Sequence, residues 1–192
     1  MLEETDNSGD QGDSLPEMTD DNRRFLLGVA HEAVERLVKG RQQAKLLYDD
    51  PVLKQKWGAF VTLRVKGDLR GCIGSIVSDM PMPETIADMA VKSASQDSRF
   101  DPIGPAELKD IHIDISILGP LSEVRDISEI VIGRHGLVVE YRGRRGLLLP
   151  QVATEHNMDV PGFVAQTCLK AGLPPDSWKH GAKIYKFAAD VF

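Results

Sequence analysis

Apolar residues recur every three or four positions from Phe25 through Leu26, Val29, Ala30, Ala33, Val34, Leu37 and Val38, which predicts one amphipathic helix. Thr19 stands where an N-cap belongs. Asp20 and Asp21 follow in the first turn, where carboxylates meet the positive end of the helix dipole, and Gly40 stops the helix. His31 falls at the edge of the apolar stripe and reads as a packing histidine. Further on the period changes from about 3.6 to 2. Residues 59–66 alternate, Gly67-Asp68 makes a turn, and residues 69–76 alternate again, so the two runs form a β-hairpin. Pro83 opens a second helix with Ile86, Met89, Ala90 and Ser93 on its inner face. A short helix over 105–110 leads into a strand over 111–118, whose isoleucines face one way while His112, Asp114 and Ser116 face the other.

In the last third of the chain, residues 133–136 read as a loop, and 137–141 pairs with 146–149 around the basic turn 142–145. Helices follow over 150–155 and 161–170, then a closing strand over 183–192. Strands and helices in mixed order, with hairpins between strands, define an α+β fold of mainly antiparallel sheets with helices.

Composition changes this picture in one place. Of the 192 residues, 42% are hydrophobic and 27% charged, as in an ordinary globular protein, and the formal net charge is −6. Residues 1–21 carry eight of the 29 acids and no Lys or Arg, leaving 21 acids against 23 basic residues, a balance of +2. The acidity therefore belongs to a leading segment. Residues 1–18 lack the apolar content to offset their ordering entropy and are expected to form a flexible tail ahead of a domain spanning 19–192. A near-neutral body with few aromatics argues against nucleic acid as a partner. No apolar run reaches the roughly 18–20 residues of a membrane span and no secretory signal opens the chain, so a cytoplasmic protein is expected. Cys72 and Cys168 match neither a disulfide framework nor a zinc signature, and no metal site is expected.

The candidate chemistry gathers on Leu69-Arg70-Gly71-Cys72-Ile73-Gly74-Ser75. Strand alternation puts Arg70 and Cys72 on one face, and two glycines inside a strand mark close approach by a ligand or by another backbone. Two readings stay open. In one, Cys72 is a small apolar filler and Gly71 and Gly74 relieve crowding. In the other, Arg70 favours a Cys72 thiolate and His135, flanked by glycines, supplies a base. Asp97 and Arg99 either bind substrate or pair with each other at a helix end.

These stretches, with Asp97-Ser98-Arg99-Phe100, Ile132-Gly133-Arg134-His135-Gly136, residues 146–153 including Gln151, and Cys168-Leu169-Lys170-Ala171-Gly172-Leu173-Pro174, resemble the AMMECR-domain family. The prokaryotic branch it resembles is called protein A of the AmmeMemoRadiSam system. The resemblance covers about Thr19 to Phe192 and implies a larger and a smaller lobe with a functional cleft at Leu69–Gly74. It also implies Memo-like and radical S-adenosylmethionine proteins as partners, and leaves the family's activity and any cofactor unknown. Two classes of function follow. One is a binding module using Gly71, Gly74, Ser75, Asp97, Arg99 and Gln151. The other is an enzyme in which Cys72 is the nucleophile, assisted by Arg70 and His135, on an anionic small molecule or a protein.

Overall fold

The structure, a computed structural model, describes residues 14–192. The chain divides into two compact units, one of residues 16–118 with 190–192, the other built on 119–189. Each has its own apolar core.

The first unit begins with helix α1 (Asp20–Val38). Thr19 caps it reciprocally: its hydroxyl accepts the Asn22 N–H at 3.2 Å, and the Asn22 side-chain oxygen accepts the Thr19 N–H at 3.0 Å. Strands β1 (Gly58–Val65) and β2 (Asp68–Ser75) pair antiparallel across Lys66-Gly67. Both turn residues have positive φ, 54° and 91°, as a two-residue hairpin turn requires, so the turn lies one position earlier than the Gly67-Asp68 expected from the sequence. Helix α2 (Met82–Ser95) follows, and strand β3 (Ile111–Leu118) pairs antiparallel with β1. The order in this unit is β2-β1-β3, with β2 at the edge and Phe192 exchanging backbone hydrogen bonds with Ile115 at 2.8 and 3.0 Å. Leu26, Ala30 and Val34 of α1 and Ile86 and Ala90 of α2 form the core with Val61, Leu63, Ile113 and Ile115.

The second unit holds β4 (Ser122–Glu123), β5 (His135–Tyr141), β6 (Arg144–Leu148), α3 (Pro150–Glu155), α4 (Val160–Lys170) and most of β7 (Lys183–Val191). β5 lies between β6 and β7, antiparallel to both. Phe163, Val164 and Cys168 of α4 pack with Leu137, Val139 and Ile184.

Several boundaries differ from the sequence reading for local reasons. His135, expected in a loop, opens β5, since pairing with Ala188 extends the strand back to it. The basic turn shrinks to Arg142-Gly143, both at positive φ, and Arg144 and Arg145 belong to β6. Only Leu108–Asp110 of the expected 105–110 helix is helical, as a single 3₁₀ turn. His31 is exposed rather than packed. The acidic tail is also shorter than expected at its inner end: Pro16 and Met18 are buried, and Met18 joins the first unit's core. The expectation of flexibility for residues 1–13 lies outside the described residues.

Because Met18 is only 8% exposed, Met18→Ala should cost about 2 kcal/mol, the low end for a buried methionine. A thermal melt should then show a drop of roughly 4–8 °C. An unchanged melting temperature would mean that the residues before Thr19 add nothing to this core.

Candidate functional site

The signature strand β2 carries a bulge at Arg70. Leu63 pairs with Gly71 and Arg64 with Leu69, so Arg70 has no partner on β1. The alternation that would place Arg70 beside the Cys72 side chain is broken there. Arg70 turns instead to Glu107, donating from Nε at 2.7 Å and Nη2 at 3.2 Å, with its guanidinium 5.9 Å from the centre of the Phe100 ring. The ion pair raises the Arg70 pKa and, together with the Gly104 N–H, lowers that of Glu107.

The two glycines are occupied by the protein itself. A Cβ on Gly71 would overlap the backbone carbonyl of Ser93, and one on Gly74 would overlap the Phe60 ring. Gly71 thereby lets α2 lie so close that the Ser93 hydroxyl enters the ladder between β1 and β2. It accepts the Ile73 N–H at 2.8 Å and donates to the Val61 carbonyl at 2.7 Å. The close approach read from the glycines is made at Gly71 by a helix.

The outer edge of β2 is closed at Cys72. The Asp97 carboxylate accepts the Cys72 N–H at 2.9 Å, the Arg99 N–H at 3.2 Å, and a two-pronged contact from Arg99 Nε and Nη2 at 2.9 and 2.6 Å. Arg99 Nη2 lies 3.5 Å from the Cys72 carbonyl. The Arg99 guanidinium holds the Asp97 carboxyl far below the usual carboxylate range despite burial, with the two backbone N–H groups adding to it. Asp97 and Arg99 thus pair with each other, as one reading of the sequence had it, and together cover the Cys72 backbone.

The Cys72 thiol is half-buried on the sheet face away from α2 and accepts a hydrogen bond from the Thr62 hydroxyl at 3.3 Å. Register places Cys72, Thr62 and Asp114 in one row across three strands. Asp114 lies 3.5 Å from Arg64 Nε and 3.2 Å from His112 Nε2. Strand alternation from Thr62 therefore puts Arg64 on this face, while the guanidinium against the Cys72 backbone is that of Arg99. His135 and Gln151 belong to the second unit. His135 is buried, its Nδ1 accepting the Val131 N–H at 2.9 Å. Gln151, on α3, has a buried Oε1 with no hydrogen-bond donor among the described residues.

Past Cys72 the strand opens onto a cleft of about 480 Å³, walled by Ile73, Gly74 and Ser75 of β2, the turn at Val77 to Met80, and Thr85, Asp88, Met89 and Lys92 of α2. Val77 is 75% and Met80 39% exposed, unusually bare for such side chains. Lys92 Nζ pairs with Asp88 at 2.7 Å. Gly74 and Ser75 of this cleft are legible in the sequence, whereas its α2 wall and Glu107, 37 residues from Arg70, are not. Ser93 was assigned to the inner face of α2. A hydroxyl at such a position, opposite a strand glycine, was the available signal for its place in the ladder. Among the described residues no His, Cys, Asp and Glu cluster is arranged to hold a metal ion, and no helix is long and apolar enough to cross a membrane.

Two compact α+β units with antiparallel strands, the first carrying Leu-Arg-Gly-Cys-Ile-Gly on an edge strand, define the class of protein. The AMMECR1 family profile matches residues 27–192, and the chain belongs to that family. It is 40% identical over 180 residues to a protein of Methanothermobacter thermautotrophicus, covering 90% of this chain and 94% of the relative. It is 44% identical over 180 residues to a protein of Methanococcus aeolicus, covering 88% and 89%. The crystal structure of an uncharacterized protein from Pyrococcus horikoshii is similar at a TM-score of 0.84 and 36% identity, covering 91% of this chain and 92% of that one. The relatives' names assign no activity, and the function of the family is not established.

Two outcomes follow from the strand's supports. Gly71→Ala should lose about 1–3 kcal/mol, because a rigid backbone carbonyl stands where the methyl must go, and urea unfolding should show a lower midpoint. A midpoint equal to that of the unaltered protein would disprove the tight approach of α2. The second outcome concerns pH. Asp97 and Glu107 have lowered pKa values in the folded state, so their stabilisation is complete above about pH 5 and is lost as pH falls further. Asp97→Asn should cost about 1–2 kcal/mol at neutral pH, a figure discounted for the half-exposed Arg99, and should flatten the acid limb of the stability curve. An acid limb as steep as that of the unaltered protein would show that Asp97 does not carry it.

Proposed function

We propose that this chain is a binding module whose site is the cleft beside the Ile73–Ser75 end of the signature strand, where it receives a partner protein or a ligand. One observation carries this reading: Arg70 of the motif and Arg99 beside the strand are committed to Glu107 and Asp97, while immediately past Cys72 the same strand borders an open cleft with apolar walls. Memo-like and radical S-adenosylmethionine proteins are the partners to test first, in the cytoplasm. The enzyme reading keeps one observation in its favour, the half-buried Cys72 thiol accepting the Thr62 hydroxyl on a face that also carries Arg64, Asp114 and His112. In that reading Arg64 is a cation on the thiol's face of the sheet, and Arg70 is held by Glu107.

Alkylation separates the two. Cys168 is fully buried, and burial pushes its thiol pKa up, so iodoacetamide should leave it unmodified in the folded protein from about pH 6 to about pH 9 while Cys72 reacts. The protein alkylated at Cys72 should still bind its partner. The backbone amide signals of residues 73–80 should shift on binding. Binding abolished by alkylation or by Cys72→Ser, with shifts confined to the Cys72, Thr62 and Asp114 row, would overturn the module in favour of the enzyme.

A further inference from the structure

Edge strands expose unpaired backbone donors and acceptors, and proteins normally blunt them. β2 is blunted over only part of its length. The bulge distorts it at Arg70, and Asp97 with Arg99 takes the N–H and carbonyl of Cys72. Backbone groups alternate in direction along a strand, so those of Gly74 point the same way as those of Cys72. Among the described residues no side chain hydrogen-bonds to them. The Ser75 hydroxyl turns to the Val77 carbonyl, and the Ser78 hydroxyl pairs with that of Thr85. The open edge borders the cleft, whose apolar surface comes from Ile73, Val77, Met80 and Met89.

We infer that the occupant is an extended peptide segment of a partner protein, adding as a strand to β2 at Gly74 and placing an apolar side chain in the cleft. This rests on the binding-module reading and deepens it. The backbone argues for a strand because a donor and an acceptor on one edge residue match another extended main chain, the geometry of β-augmentation. The charges argue for its sequence. Asp79 and Asp88 face a single ammonium, Lys92, which Asp88 already holds, and Asp79 has no ion pair among the described residues. A Lys or Arg two positions from the apolar residue shares its side of the peptide strand, roughly 6.5–7 Å away, and meets Asp79.

The probe is a phage-displayed library of random linear peptides, panned on the full chain and counter-selected on a Val77→Lys, Met80→Glu double variant whose melting temperature confirms folding. Enriched sequences should pair an apolar residue with Lys or Arg two positions away. The best of them, synthesised, should bind the unaltered protein at least about tenfold tighter than the double variant, and methylating its backbone nitrogens one at a time should weaken binding about tenfold at the one position opposite Gly74 and at no other. Absence of enrichment, or equal enrichment on both proteins, overturns the proposal. So does a dimer seen in sedimentation that Val77→Lys dissolves, which would make the occupant a second copy of this chain. Peptides that need Val77 but tolerate methylation at every nitrogen overturn strand addition while leaving the binding site in place. Partner-induced shifts away from residues 73–80 overturn the site itself.

Discussion

The approach of α2 to β2 is the contact on which the first unit depends. A helix normally packs on a sheet through side chains, but at Gly71 there is none, and the Ser93 backbone comes into direct contact. The Ser93 hydroxyl then completes the hydrogen bonding of two strands, to Val61 on β1 and Ile73 on β2. Helix and ladder are therefore one hydrogen-bonded object, and a buried polar group that is fully partnered specifies position more sharply than apolar packing does. The edge strand cannot slide in register without breaking the bond from Ile73 to Ser93. The cleft inherits this rigidity, since Ile73 is one of its walls and Asp88, Met89 and Lys92 lie on the preceding turn of the same helix.

Much of the fold was legible because hydrophobic period and caps agree along the chain. α1 starts after the Thr19 cap, the inner face of α2 is the expected Ile86, Met89, Ala90 and Ser93, and β3 spans the expected 111–118. The candidate site was legible only as a location. Alternation assumes an unbroken ladder, and a bulge leaves no trace in one strand's sequence, so alternation does not carry through Arg70. Its true partner Glu107 lies in a loop whose path depends on the tertiary fold. The glycines signalled close approach correctly but could not say by what. A strand glycine facing a helix carbonyl and one facing a ligand look the same in sequence.

The arrangement also divides labour among charges that sequence alone pools together. Arg70, Arg99, Asp97 and Glu107 form two closed pairs, the first bracing the bulge and the second sealing the strand edge at Cys72. Closed pairs of this kind hold geometry and leave little field for a ligand. The charge with room to act lies elsewhere, at Asp79 beside the cleft, which has no ion pair among the described residues.

The first unit is discontinuous, and its closing residues come after the whole of the second. Asp190 binds Arg23 at 2.9 Å across 167 residues of chain, and Phe192 pairs with Ile115. A ribosome emits Arg23, α1 and all three strands of this unit long before it emits their last partners. The second unit can form its core while the first still lacks the backbone partner of Ile115. Synthesis order thus makes the signature strand's own unit the last to be completed, and until Phe192 emerges a second stretch of unpaired backbone, on β3, stands open in the nascent chain.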